Sequence, residues 1–193
     1  MESQLLLIGT KNIINKIFNY IILITRMNKK QNILVTGGAG YIGAHIVELL
    51  VKTKANIIII DNLVTGRKKL LNKKAKFIKE DIKNKTSLIK IINDYEINSI
   101  IHLAGSLNVS EAEKNKKKYY KNNVEGTLNL VNACKNSTVK NIIFSSSCSV
   151  YGNIKGSVNE KMRPDPQGYY ALTKYKAEEI IKKFSKKYNY KYG

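Results

Sequence analysis

Cysteine is scarce in this sequence. The 193 residues include two cysteines, Cys134 and Cys148, which stand apart without a Cys-x-x-Cys or Cys/His cluster. Two separated cysteines provide neither a disulfide framework nor the four ligands of a structural zinc site. The sequence therefore predicts a protein of a reducing, cytoplasmic compartment, and no metal centre is expected.

An unbroken hydrophobic segment is also missing. Residues 5–25 are apolar overall, but a spanning helix needs about 20 consecutive apolar residues. The stretch is interrupted by Lys11, Asn12, Asn15 and Lys16. The same residues break the hydrophobic region of a signal peptide, and no small-residue cleavage site follows. Because Met27 begins a fresh segment, residues 1–26 are interpreted as an N-terminal extension, with an amphipathic surface helix as the alternative.

Acidic residues are few. The 14 Asp and Glu residues stand against 34 Lys and Arg, which gives a formal net charge of +20. Such an excess suggests an anionic partner, for example nucleic acid or a membrane surface. The lysines, however, are spread along the chain in single positions and short runs, and no nucleic-acid-binding motif accompanies them. The charge is therefore interpreted as solvated surface lysines, and no nucleic-acid partner is expected.

No internal repeat and no Pro- or Gly-rich linker divides the chain, so one domain is the default. From residue 32 onward, short β-branched runs alternate with helical patterns, which is typical of a parallel sheet. Strands are predicted at 32–36, 57–60, 77–82, 99–103 and 141–146, and helices at 42–52, 86–95, 119–135 and 169–188. The pattern predicts an α/β, doubly wound Rossmann-type domain over residues 27–193. It is expected to be incomplete, truncated before a substrate domain, without a sixth strand and with the fifth strand as an unprotected edge.

Three glycines separate the first strand from the first helix, in the spacing Gly37-x-x-Gly40-x-x-Gly43. Glycine permits a tight turn, and it lets backbone N–H groups approach a pyrophosphate at the positive end of the helix. Asp61 ends the second strand, where a carboxylate can accept hydrogen bonds from an adenosine ribose and repel a 2′-phosphate. The pattern favours NAD over NADP, and a plain glycine turn followed by a turn aspartate is the alternative.

Tyr170 and Lys174 are four residues apart in a helical segment, so they share one face. A free tyrosine titrates near pH 10. A neighbouring ammonium and a positive nicotinamide ring would favour the phenolate and lower the pKa. Ser147 follows the fifth strand at the carboxyl edge of the sheet, where it can hold a substrate hydroxyl against Tyr170. The three residues are predicted to transfer a proton, and a surface pair beside an exposed strand end is the alternative.

Several motifs occur in order along the chain: TGGAGYIGAH, DNL, EDI, HLAG, NNVEGT, SSSCSVYG and YYALTK. With them, residues 31–190 resemble the extended short-chain dehydrogenase/reductase family, also called the NAD-dependent epimerase/dehydratase family. Within it they resemble the N-terminal part of the UDP-glucose 4-epimerases. The resemblance implies an NAD-dependent isomerase that interconverts UDP-glucose and UDP-galactose through a 4-keto intermediate. It also makes a homodimer an expectation.

The resemblance also implies a set of site residues. Ser147 and Tyr170 would act on the sugar. NAD would be lined by Tyr41, Ile42, Asp61, Asn62, Leu63, Asp81, Ile82, Ala104, Gly105, Asn122 and Lys174. Cys148 and Ser149 occupy the region where the related 4,6-dehydratases carry an acidic pair, which favours epimerisation over dehydration. The usual Pro-Tyr-Gly-x-Ser-Lys reads Tyr-Tyr-Ala-Leu-Thr-Lys at 169–174. The alternatives are another UDP-sugar epimerase and a catalytically silent NAD-binding module.

Overall fold

A computed structural model describes residues 31–154 and 156–193, so the proposed extension at 1–26 lies outside the described residues. The described chain forms one six-stranded sheet in the order β3-β2-β1-β4-β5-β6, and every neighbouring pair is parallel. The strands are β1 Asn32–Thr36, β2 Asn56–Asp61, β3 Lys76–Lys79, β4 Ser99–His102, β5 Asn141–Phe144 and β6 Lys191–Tyr192. The predicted Rossmann-type α/β fold is confirmed.

Helices connect the strands. They are α1 Tyr41–Leu50, α2 Lys85–Asp94, α3 Val109–Lys114, α4 Lys116–Tyr119, α5 Gly126–Ala133 and α6 Tyr169–Tyr188. A π-helical segment, Tyr120–Glu125, joins α4 to α5, and short 3-10 turns occur at Lys68–Leu70 and Cys148–Tyr151. The single helix predicted at 119–135 is therefore three consecutive pieces. Helix α3 occupies a stretch for which the sequence predicted no element.

The central strands β1, β2 and β4 are buried on both faces, which accounts for the unbroken apolar run of β2. Ile57 and Ile59 point into the layer under α1, whereas Ile58 and Ile60 point into the layer under α2, α5 and α6. Alternate side chains of a strand face opposite sides of a sheet, so a strand covered on both sides must be apolar at every position.

The expectation that no sixth strand exists is wrong. Asn189 adopts a left-handed conformation after α6 and turns the chain back along β5. The N–H of Lys191 then donates to the carbonyl of Lys140 at 2.9 Å, and the N–H of Phe144 donates to the carbonyl of Gly193 at 2.8 Å. Strand β5 is thus paired on both sides, and the predicted unprotected edge does not lie there.

Three predicted strands end earlier than expected: β4 by one residue, at His102, and β3 and β5 by two or three residues, where local hydrogen bonds follow the ladder. Strand β3 ends at Lys79, and the Asp81 carboxylate then accepts the N–H of Lys83 at 2.9 Å in a tight turn. Strand β5 ends at Phe144, whose carbonyl accepts the N–H of Ser146 at 3.1 Å. In both places the chain leaves the sheet at the carboxyl edge, above which the predicted site residues lie.

Within the part of the chain that the structure describes, no helix is long and apolar enough to cross a membrane. The same residues contain no group of three or more His, Cys, Asp or Glu side chains that could hold a metal ion.

The approach to β6 depends on Tyr190. Its ring stacks on Phe184, and its hydroxyl donates to the carbonyl of Cys134 at 2.6 Å. We predict that Tyr190→Phe lowers the free energy of unfolding by about 1 kcal/mol, because one buried hydrogen bond is lost while the ring remains. Urea denaturation measures the change. Tyr192→Phe, at a half-exposed ring, is the matched control, and equal losses in both variants would contradict the assignment.

Candidate cofactor and catalytic site

The turn between β1 and α1 approaches the chain after β4 so closely that glycine is required. Gly37 has φ +72°, and a Cβ there would lie 2.7 Å from the backbone nitrogen of Ala104. A Cβ on Gly43 would lie 2.2 Å from the carbonyl oxygen of Gly37. Both distances are far inside van der Waals contact, so the predicted turn is a packed feature and not a loose connection.

The first turn of α1 is open to solvent. Gly40 precedes the helix and has no side chain to cap it, while Tyr41 and Ile42 are 79% and 48% exposed. The N–H groups at a helix N-terminus carry a partial positive charge and lack acceptors within the helix. A cleft of about 500 Å³ beside this turn is lined in part by Arg67 and Lys69. This end of the helix suits a diphosphate.

Asp61 is held against the glycine turn. Its carboxylate accepts the N–H of Ala39 at 3.1 Å and the N–H of Leu63 at 2.8 Å. A Cβ on Gly66 would lie 2.5 Å from the same carboxylate, so the loop after β2 wraps tightly around it. The two carboxylate oxygens can together accept about four hydrogen bonds, which leaves capacity for ribose hydroxyls.

Asn62 and Asp81 meet across the ends of β2 and β3, where the Asn62 amide donates to the Asp81 carboxylate at 3.0 Å. Partial burial raises the pKa of Asp81, but hydrogen bonds from Asn62 and Lys83 and the charge of Lys83 outweigh it, so the pKa lies below its usual value. Ile82 was expected to line NAD, but the structure places its side chain elsewhere. Its side chain is buried in the core against Gly126, so its backbone is the part available to a ligand.

His102, which the sequence analysis did not single out, bridges β1 to α5 at full burial. Its Nδ1 lies 2.7 Å from the Thr36 hydroxyl and its Nε2 lies 3.0 Å from the Thr127 hydroxyl. Thr36 already accepts two backbone N–H groups, and Thr127 donates to a main-chain carbonyl. Thr36 therefore donates to Nδ1, while Nε2 carries the hydrogen. Burial, with a smaller effect from Lys174, lowers the pKa of His102 to about 3, so the ring is neutral.

Asn123 is a second residue that the sequence analysis missed. Its carbonyl oxygen accepts the N–H of Ser106 at 2.7 Å, and its amide donates to the Ser106 carbonyl and to the Thr173 hydroxyl, both at 3.1 Å. The neighbouring Asn122, which had been predicted to line NAD, donates to the Ser106 hydroxyl at 3.0 Å. The pair joins the turn after β4, which contains Ala104 and Gly105, to the π segment and α6. The double asparagine in NNVEGT was the available signal.

Tyr170 is buried, and the Ser147 side chain is among the groups that affect the pKa of its phenol. Burial raises the pKa of Tyr170, the Ser147 hydrogen bond opposes that effect, and the nearby Cys148 adds to it. The sequence predicted that the ammonium and a bound nicotinamide together lower this pKa. The protein groups alone raise it, because burial outweighs the Ser147 effect, and the contribution of the nicotinamide stays a prediction.

Lys174 lies one turn beyond Tyr170 and is only 4% exposed. Its Nζ donates to the carbonyl of Ser145 at 2.6 Å and lies 4.2 Å from the centre of the Phe144 ring. Burial lowers the pKa of Lys174 to about 8, although Glu178 opposes the shift. The lysine is thus bonded to the serine segment that contains Ser147, and among the described residues no carboxylate lies in hydrogen-bond contact with it.

Known proteins resemble this chain in sequence and in fold. The UDP-glucose 4-epimerase of Lactobacillus helveticus is 39% identical over 152 residues, which are 78% of this chain and 46% of that protein. The crystal structure of UDP-glucose 4-epimerase from Brucella ovis in complex with NAD superposes with a TM-score of 0.80 at 35% identity, covering 84% of this chain and 50% of that one. UDP-N-acetylglucosamine 4-epimerase from Methanobrevibacter ruminantium, in complex with UDP-N-acetylmuramic acid, gives 0.78 at 37%, covering 85% and 53%.

The chain spans about half the length of these relatives. A family profile described as the NAD dependent epimerase/dehydratase family matches residues 33–193. The matched range contains the sheet from Ile33 onward and every predicted site residue. The chain therefore belongs to the NAD dependent epimerase/dehydratase family.

Proposed function

We propose that this chain holds the cofactor-binding and catalytic residues of an NAD-dependent UDP-sugar 4-epimerase. The observation that supports this most directly is the pair of buried side chains Tyr170 and Lys174, with Lys174 bonded to the segment that contains Ser147, at the same sheet edge as the glycine turn. The residues that carry the chemistry and those that bind NAD then belong to one Rossmann-type domain, proposed to extend over residues 27–193.

The residues around the glycine turn fit a dinucleotide. The open first turn of α1, from Gly40 to Gly43, would hold the diphosphate, and the anchored Asp61 would accept hydrogen bonds from the adenosine ribose. Asn62, Leu63, Asp81 and the backbone of Ile82 would border the adenine side, and Ala104, Gly105, Asn122 and Lys174 the remainder. Bound NAD would supply the hydride acceptor and donor at the sugar C4.

Residues of this chain would carry out the proton transfer. Ser147 would hold the sugar 4-hydroxyl against the Tyr170 phenol, and Tyr170 would accept the hydroxyl proton as a 4-keto sugar forms. After the sugar turns over, the same phenol would return the proton to the other epimer. Burial raises the pKa of Tyr170, and hydrogen bonding by the Ser147 side chain is the protein effect that favours the phenolate.

UDP-glucose and UDP-galactose are the proposed substrates, by analogy with the relatives that carry that name. A different UDP-sugar is the second candidate, since the relative from Methanobrevibacter ruminantium is a UDP-N-acetylglucosamine 4-epimerase. Cys148 and Ser149 place no carboxylate beside Ser147, and the Ser149 hydroxyl instead bonds that of Ser147 at 2.9 Å. This environment favours epimerisation over elimination of water.

A catalytically silent NAD-binding module is the alternative from another class. A homodimer remains an expectation from the resemblance.

The test of catalysis is the conversion of UDP-galactose to UDP-glucose by the purified chain supplied with NAD. We predict that Tyr170→Phe lowers kcat by about 10²–10⁴-fold, because the group that exchanges the proton is removed. Tyr169→Phe, one residue away, is the matched control and should retain the wild-type rate. A wild-type chain that holds NAD but forms no UDP-glucose would favour the silent module, whereas an active Tyr170→Phe variant would refute the assigned base.

The buried lysine gives a prediction about stability. The pKa of Lys174 is about 8 in the folded chain, below the ordinary value of 10.5. Burial of the ammonium therefore lowers the free energy of unfolding by its full amount below pH 8. This destabilisation disappears as the pH rises toward 10.5. Lys174→Met is expected to raise the free energy of unfolding by about 1–2 kcal/mol at pH 7, after allowance for the lost bond to Ser145. Urea denaturation should show this gain shrinking by pH 10, and a gain independent of pH would contradict the account.

A further inference from the structure

Helix α6 carries both Tyr170 and Lys174, yet its start has no cap of its own. The preceding residue is Gly168, which has φ +84° and no side chain, and the first turn contains no acidic residue. The first N–H groups of a helix need acceptors from outside it. For the N–H of Tyr169, the first helical residue, the acceptor is the carboxylate of Glu113, which belongs to α3.

The rest of α3 is packed against the same turn. Ala112 is fully buried in a cluster with Tyr119 and Tyr170, and Tyr169 packs against that cluster. The Nζ of Lys116, just beyond α3, lies 5.6 Å from the centre of the Tyr169 ring. Glu113 thus reaches the helix from an element whose position is set by the Tyr170 contact itself.

Glycine at 168 also brings the carboxylate close. A Cβ at this position would lie 3.1 Å from the Glu113 carboxylate oxygen, tighter than ordinary contact, and the positive φ independently favours glycine. A carboxylate at a helix N-terminus is further stabilised by the helix dipole. A proline at the first helical position would carry no N–H and would need no acceptor, whereas Tyr169 does.

We propose that Glu113 is a positioning residue for Tyr170: its carboxylate closes the first turn of α6 and thereby holds the phenol against Ser147. The inference rests on the proposed function of Tyr170 as the proton-transferring group. Glu113 acts through the backbone N–H of Tyr169, and no contact between Glu113 and the substrate is required.

Hydrogen exchange in the full 193-residue chain tests the cap without an activity assay. The N–H of Leu172 donates to the carbonyl of Gly168 at 3.1 Å, so its exchange reports the closure of the first turn. We predict that Glu113→Ala speeds this exchange about fivefold, the effect of losing a typical N-terminal cap. Glu113→Gln keeps an acceptor oxygen and should restore most of the protection. Glu125→Ala, at an exposed carboxylate of the π segment, is the matched control.

The decisive variant is Tyr169→Pro, which removes the N–H that Glu113 accepts. The ψ of 160° at Gly168 suits a residue before proline. In this background Glu113→Ala should leave the exchange of Leu172 unchanged. An equal acceleration in both backgrounds, or none in either, would overturn the proposed cap.

The effect on Tyr170 itself is read from the ¹³C resonance of its Cζ, assigned by its loss in Tyr170→Phe. In Glu113→Ala this resonance should move toward the position of solvent-exposed tyrosines, and Glu113→Gln should return it. A resonance that does not move, despite faster exchange at Leu172, would show that Glu113 supports the helix without positioning the phenol. A wild-type chain inactive on UDP-sugars would refute the proposed function alone, since both spectroscopic results would still stand.

Discussion

The site depends on the side-by-side pairing of β1 with β4, where the order of strands reverses along the sheet. The chain leaves these strands toward opposite faces, so a crevice opens above their carboxyl ends, as is general for doubly wound sheets. Gly37 allows the two emerging turns to touch at backbone distance, and Thr36 and His102 bond across the strands beneath them. Without this contact the open end of α1 and the segment that carries Ser106 would not face the same space.

A chain of buried polar residues extends the same constraint to α6. From Thr36 it passes through His102 and Thr127 to the π segment, where Asn123 reaches Thr173, one residue before Lys174. Such groups are tolerated at full burial because each has a partner. Lys174 differs, since its burial disfavours the charge and its hydrogen bond goes to a main-chain carbonyl. A buried ammonium without a carboxylate in contact is easier to explain by function than by stability.

Much of the architecture could be predicted from local patterns. Runs such as the four isoleucines of β2 indicate strands buried on both faces, and glycines at 37, 40 and 43 indicate the turn before α1. Strand β6 was not predicted, because a strand of two residues shows no periodicity in the sequence. Its position depends on the turn at Asn189 and on the hydrogen bond of Tyr190. The raised pKa of Tyr170 was not predicted for a related reason. Spacing along a helix places Lys174 on the same face, but burial by distant segments decides the sign.

The roles of His102 and Glu113 were equally hard to predict from the sequence, and Asn123 was signalled only by the NNVEGT motif, because each acts through contacts with residues far away along the chain. Their shared effect is to bring the glycine turn and the phenol to one edge, and the account requires that this edge bind a dinucleotide. Calorimetric titration of NAD into the full chain tests this claim most directly, with Gly43→Val as the variant whose side chain would collide with the carbonyl of Gly37. The account predicts saturable binding of one NAD per chain and its loss in the folded variant. A folded wild-type chain that takes up no NAD, or a variant that binds it equally well, would contradict the account.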